Sequence, residues 1–282
     1  MFKIKKYIPD IVVAIILIAG IGLLAYPTIG DYINALHSSK AIGSYVEKTK
    51  DLSKEEKENL LREAREYNES LVGKVNRYYL NEEEKKRYAH ILDITKTGIM
   101  AYVEIPKLNI YMPVYHGTDE GVLQIAAGHL RGSSLPVGGE NTHSLISGHR
   151  GLPSAKLFTD IDKLKKGDLF FIHVFDEVLA YKVNQIKIVL PDDVETLEIE
   201  KGKDYVTLIT CTPYGVNSHR LLVRGERTVY KQSESKIEDM IKKNNLKYIM
   251  LTAGVILALI GMTVLVSVFL IKRRKRRKLN EK

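Results

Sequence analysis

Two uncharged apolar runs bracket this chain of 282 residues, and they constrain what it can fold into more than any other feature. IVVAIILIAGIGLLAYPTI at 11–29 has 19 residues, and YIMLTAGVILALIGMTVLVSVFLI at 248–271 has 24. A helix rises ~1.5 Å per residue and a hydrocarbon core is ~30 Å thick, so about 20 apolar residues suffice to span it. Both runs are read as membrane-spanning helices. Lys3, Lys5 and Lys6 would also suit the n-region of a cleavable signal peptide, but no small-x-small cleavage site follows. The first run is therefore read as an uncleaved signal-anchor.

Flanking charge sets the orientation. Lys3, Lys5 and Lys6 precede the first run, and KRRKRRK at 272–278 follows the second. Basic clusters beside a span resist translocation, so both termini are expected in the cytoplasm and everything between the spans outside. KRRKRRK is then a stop-transfer signal, and no nucleic-acid partner is expected. Of the 43 lysines and arginines, 11 lie in the two tails; of the 34 acidic residues, two do. The stretch 30–271 carries 32 of each and is neutral, so the net charge of +9 belongs to the tails.

Residues 31–96 read as helical, with apolar positions at helical spacing: Ile33 and Leu36, then Leu60, Leu61, Ala64, Tyr67 and Leu71. Asp51 or Ser53 can cap the second stretch, and Gly73 can stop it. NEEEKKRYAHIL at 81–92 reads as a short helix capped by Asn81. The texture changes near Gly98. IMAYVEIPKLNIYMPVYHG is strand-like, with Pro106 and Pro113 marking strand ends or bulges. Further strands are expected at 144–147, 169–174, 179–190, 205–210 and 220–230. Seven or so short strands in this space predict a closed or nearly closed β-barrel, hence a mainly β fold.

The only cysteine, Cys211, lies in TLITCTPYGVNSHRLLVRGER at 207–227. It cannot form an internal disulfide, and a lone exported thiol is either inert or reactive. A reactive one needs a base to take its proton and a donor for the oxyanion of an acyl intermediate. His90, His116, His129, His143, His149, His173 and His219 can all compete for the first role, whereas His37 lies in the first helical stretch. His149 stands out, because it follows a strand-like run and enters a turn, where side chains line clefts. Arg220 and Arg224, four apart on one strand face, can each be the donor or a surface ion pair. These features leave base and donor open. No Cys/His zinc pattern, Gly-rich phosphate loop or glutamate pair is present, so neither metal nor cofactor is expected.

The segment from Gly98 to Arg227 resembles the catalytic barrel of sortases, membrane-anchored cysteine transpeptidases of Gram-positive bacteria. TLITC is similar to the family's Thr-Leu-x-Thr-Cys signature, SGHRG to its histidine segment and NSHRLLVRGER to its arginine segment. The resemblance implies Cys211 as nucleophile, His149 as the histidine and Arg220 as the essential arginine. The helical extension, the segment 128–168 and the second span are similar to class C sortases, the pilin polymerases. Such an enzyme joins the threonine of an LPxTG-like sorting signal to a lysine amine on the next pilin. Alternatives are a housekeeping sortase that anchors proteins to the cell wall, a hydrolytic cysteine peptidase, and a catalytically idle scaffold.

The domain reading is therefore a cytoplasmic tail at 1–10, a signal-anchor at 11–29, a helical extension at 30–97 and a catalytic barrel at 98–230. A juxtamembrane linker at 231–247, a span at 248–271 and a basic cytoplasmic tail at 272–282 complete it. Class C enzymes commonly carry a lid with an Asp-Pro-aromatic motif, and this chain has no Asp-Pro. Tyr78 and Tyr79, in KVNRYYLNEEE, are the candidate lid residues, or else they cap a helix against the barrel.

Overall fold

The structure is a computed structural model that describes residues 8–230 and four isolated positions, Met250, Ala253, Gly254 and Gly261. Apart from those four, the linker, second span and basic tail expected at 231–282 lie outside the described residues. The chain divides into two compact units, and Ile33–Gln232 is the one that contains the barrel.

Helix α1 spans Ile8–Asp51, so no loop marks the expected boundary at 29/30. Pro27 lies inside it. Its N-terminal part, in the other unit, is apolar and long enough to cross a membrane, and side chains such as Ile18 and Leu24 are exposed. Further on, α1 becomes a packing helix, with Ser38, Ile42, Tyr45 and Thr49 buried at spacings of three and four. Ile33 and Leu36, expected on the apolar face, are exposed. They precede Ser38 by five and two residues, which at 3.6 residues per turn places them on the far side of the helix. Tyr45 fastens α1 to the barrel unit. Its hydroxyl donates to the Met100 carbonyl at 3.1 Å and accepts from the Phe175 amide at 3.0 Å.

Helix α2, Lys54–Leu71, starts at Ser53, which decides between the two expected caps. The Ser53 side chain accepts from the Glu56 amide, and Glu56 accepts in return from the Ser53 amide. It buries Leu61, Ala64, Tyr67, Asn68 and Leu71. Apolar periodicity does not reveal Asn68, whose amide donates to the Leu135 carbonyl and accepts from the Leu135 amide. Helix α3, Glu82–His90, has the same kind of cap from Asn81 and Glu84.

Eight strands close into a barrel: β1 Ile99–Ile105, β2 Ile110–His116, β3 Ala127–His129, β4 Thr142–Ser147, β5 Leu169–Val174, β6 Glu177–Val189, β7 Asp204–Thr212 and β8 His219–Arg227. Their order around it is β1-β2-β3-β4-β7-β8-β6-β5. The pairs β2/β3 and β4/β7 are parallel and the rest antiparallel. Strand β3 is the one the sequence does not announce, because its three residues, Ala-Gly-His, show neither alternation nor β-branching. A single helical turn, α4 (Glu120–Leu123), precedes it. Pro106 ends β1, but Pro113 lies inside β2 opposite Tyr102 and is neither a strand end nor a bulge. It is tolerated there because β3 begins to pair with β2 only at Val114.

Alternation along the strands separates two apolar clusters. Ile146, Leu208, Leu221 and Val223 join the main core shared by barrel and helices. Leu145, Ile209, Leu222, Val189 and Leu197 form a second cluster on the other face of β4, β7, β8 and β6, with Tyr78 and Leu130 packed against it. The second face carries the candidate site.

Candidate active site

Register brings the three candidate residues together. In the parallel β4/β7 pair, Ser147 is opposite Ile209, so continuing by two residues sets His149 beside Cys211. The continuation is held by hydrogen bonds: the Gly148 amide donates to the Ile209 carbonyl at 3.0 Å, and Thr210 Oγ1 donates to the Gly148 carbonyl at 2.7 Å. In the antiparallel β7/β8 pair, Cys211 is directly opposite Arg220. Neighbouring strands are ~4.8 Å apart, so the backbone at Cys211 is flanked by the segment that carries His149 and by Arg220 on β8. All three continue the face whose preceding positions, Leu145, Ile209 and Leu222, form the second cluster.

The local sequence explains the geometry. At Gly148 a Cβ would come within 2.6 Å of the Phe158 ring, so only glycine lets the chain turn into His149 over that ring. The Phe158 amide donates to the His149 carbonyl at 3.1 Å and closes the turn. Arg150 points away from the thiol side of this turn, to Asp162 and to Thr212 Oγ1.

Burial sorts the histidines. His143 is fully buried; its Nδ1 lies 2.9 Å from the Glu198 carbonyl and its Nε2 2.7 Å from Thr207 Oγ1. Burial pushes its pKa down to about 4, so it stays neutral and acts as a strut between β4, β7 and the β6–β7 connection. His129 is buried against Tyr88 and the Ser134 carbonyl, and burial pushes it down to about 3. His116 bridges the Gly98 and Ile91 carbonyls and is also lowered by burial. His173 pairs with Glu104 at 2.7 Å and stacks on Tyr102, on β1 and β5. His219 contacts Ser218, and His90 ends α3. Cys211 is partly exposed, as a thiol that meets a substrate must be.

The two arginines differ. Arg224 donates to Asn184 Oδ1 at 3.2 Å and to Glu200 at 2.9 Å, and it lies 4.0 Å over the Tyr205 ring. Arg220 donates one nitrogen, Nη1, to the Asn217 and His219 carbonyls, both at 3.2 Å, and makes no ion pair among the described residues. Tyr78 and Tyr79 part company too. Tyr78 is half-buried on the second cluster and accepts from Arg77 at 2.8 Å, whereas Tyr79 is 84% exposed. Arg77, which sequence reasoning missed, is buried and donates to the Leu197 carbonyl at 2.7 Å, tying this segment to the β6–β7 connection. No local pattern distinguishes it from a surface arginine.

Residues 103–228 match the model of the Sortase domain. Among sequence relatives, Sortase A of Streptococcus agalactiae is 28% identical over 153 residues, which is 53% of this chain; the chain spans 61% of that relative's length. Among solved structures, sortase C1 from Streptococcus agalactiae is 49% identical with a TM-score of 0.66, covering 68% of this chain and 100% of that one. Sortase C of Streptococcus pneumoniae is 47% identical with a TM-score of 0.62, covering 69% and 99%. The chain belongs to the sortase family, whose members are cysteine transpeptidases. Within it, class C sortases are among the solved structures it matches, at 42–49% identity.

Proposed function

We propose that this protein is a membrane-anchored transpeptidase that cleaves an LPxTG-like sorting signal after threonine and polymerises pilins. The observation that carries the reading is the strand register, with His149 and Arg220 on either side of Cys211. Cys211 Sγ, its proton passed to His149, attacks the threonine carbonyl. Arg220 donates to the resulting oxyanion with nitrogens not engaged by the Asn217 and His219 carbonyls. His149 returns the proton to the leaving amine as the C–N bond breaks, leaving a thioester on Cys211. A lysine amine of the next pilin then attacks, losing its proton to His149, and Sγ departs. The net change is one amide bond for another, so no external energy source is required.

Pilin as acceptor is supported by the 42–49% identity to class C structures, against 27–34% to Sortase A relatives. The apolar part of α1 supports membrane anchoring. The basic residues beside both runs support an outward-facing barrel with both termini in the cytoplasm. The test is the full-length protein in membranes with a pilin that bears a sorting signal and its acceptor lysine. A covalent ladder that needs Cys211 is the expected product. A single adduct to a cell-wall amine would mean anchoring instead. Free acid whatever the amine would mean a peptidase, and a ladder from Cys211→Ala would mean a scaffold for another enzyme.

A further inference from the structure

Beside His149 the structure presents a carboxylate that no motif announces. Glu120 opens the short helix α4, between β2 and β3, and its Oε2 lies 3.7 Å from His149 Nε2. That ring nitrogen is shielded from water and has no hydrogen-bond partner. The other Glu120 oxygen, Oε1, accepts a hydrogen bond from Gln124 Nε2, four residues on. The adjoining Asp119 is held by Arg131 at 2.6 Å. One carboxylate oxygen is thus tethered and the other left facing the imidazole.

We propose that Glu120 is a positioning residue for His149: it orients the ring and stabilises its protonated form. This rests on the reading of Cys211 and His149 as a thiol–imidazole pair. When Sγ gives up its proton, the positive charge spreads over both ring nitrogens. A carboxylate at Nε2 therefore favours the ion pair whichever nitrogen took the proton. The charged and titratable groups around His149 are few. Cys211 adjoins it in the β4/β7 register with Arg220 opposite the cysteine on β8, Glu120 lies against it from α4, and Arg150 next to it is turned to Asp162. Glu120 is the one anion that the structure pairs with His149 among the described residues.

Because Cys211 is the only cysteine, its alkylation reads the pair without any assumption about substrate. The rate of alkylation of the full-length protein in detergent is measured from pH 4 to 10. The forms compared are wild type, Glu120→Gln, Glu120→Asp, His149→Ala and, as a charge-matched control on α2, Glu63→Gln. The wild-type profile is expected to have an acidic limb that His149→Ala removes. Glu120→Gln should move that limb down by roughly half a pH unit and slow alkylation at neutral pH about three-fold. Glu120→Asp should restore part of both, and Glu63→Gln should match wild type. A Glu120→Gln profile superimposable on wild type, or one lowered equally at every pH, overturns the proposal. If His149→Ala leaves the profile unchanged, the thiol–imidazole reading fails instead. Titration of the His149 ring by NMR in wild type and Glu120→Gln then still decides whether the carboxylate acts on it.

Discussion

The two ends of the β7–β8 pairing are built for opposite purposes. At the Arg224 end the guanidinium is enclosed, stacked on Tyr205 and bonded to Asn184 and Glu200. At the Arg220 end, four residues away, the same kind of side chain meets two backbone carbonyls and no carboxylate, opposite a partly exposed thiol. A buried or stacked arginine with its donors engaged holds strands and connections in place. One that keeps donors free beside a nucleophile has something left for a ligand. The histidines repeat the contrast along β4, where His143 at one end is sealed in as a neutral strut and His149 beyond the other keeps a ring nitrogen unbonded.

The contrast is broken most directly at the reactive end. Cys211→Ala should abolish thioester formation, and His149→Ala should lower it by about 10³-fold, within the range for loss of a general base. Arg220→Ala should cost about 10²–10³-fold in turnover, with Arg220→Lys nearly as poor, because a point charge does not reproduce the fork. Single-turnover assays on a sorting-signal peptide read all of these. Equal losses from Arg224→Ala, with circular dichroism unchanged, would erase the distinction between the two ends.

Next in size is acid sensitivity at the sealed end. His143 and His129 have folded-state pKa values held by burial at about 4 and about 3, against an ordinary 6.5. The unfolded chain therefore binds more protons between those values, so stability is full above pH ~6.5 and falls as pH drops toward 4. The His143 contribution alone is of order 3 kcal/mol. Denaturant midpoints at pH 7 and pH 4.5 should differ, and a hydrophobic or amide replacement of His143 that still folds should narrow the gap.

Arg224→Ala should act on stability rather than chemistry. It should cost about 1–2 kcal/mol and leave the activity of the folded fraction within a few-fold of wild type. The smallest effect is expected at Tyr79, whose ring lies in solvent: Tyr79→Ala should change stability by less than about 0.5 kcal/mol. Tyr78 packs on the cluster that includes Ile209 and Leu222, a pair two positions along the strands from Cys211 and Arg220, so Tyr78→Ala sharpens the picture. We expect small and bulky thiol reagents to keep their relative rates in both variants. A selective gain for the bulky one after Tyr78→Ala would show that this segment covers the thiol.

Much of this was legible in the chain itself. Hydrophobic length announced the apolar part of α1, and Ser53 and Asn81 announced two helix starts. Strand-like runs between turns announced seven of the eight strands, because each of these signals depends on neighbours a few residues apart. TLITC and SGHRG carried the family in the same local way. Nothing local, however, distinguishes Arg220 from Arg224, and the turn after His149 favours it over the other histidines without deciding the base; the resemblance singled out one of each. The physical reason lies in the crossover that lays β4 parallel to β7 and in the closure of the barrel, which set one end of each strand in a packed wall and the other at an open face. The same closure decided that three residues, Ala127–His129, would be a strand and that Pro113 could sit inside one. It also brought Glu120, which has no motif around it, to His149. Burial, pairing and register are properties of contacts between distant segments, and a residue acquires them only when the chain has folded.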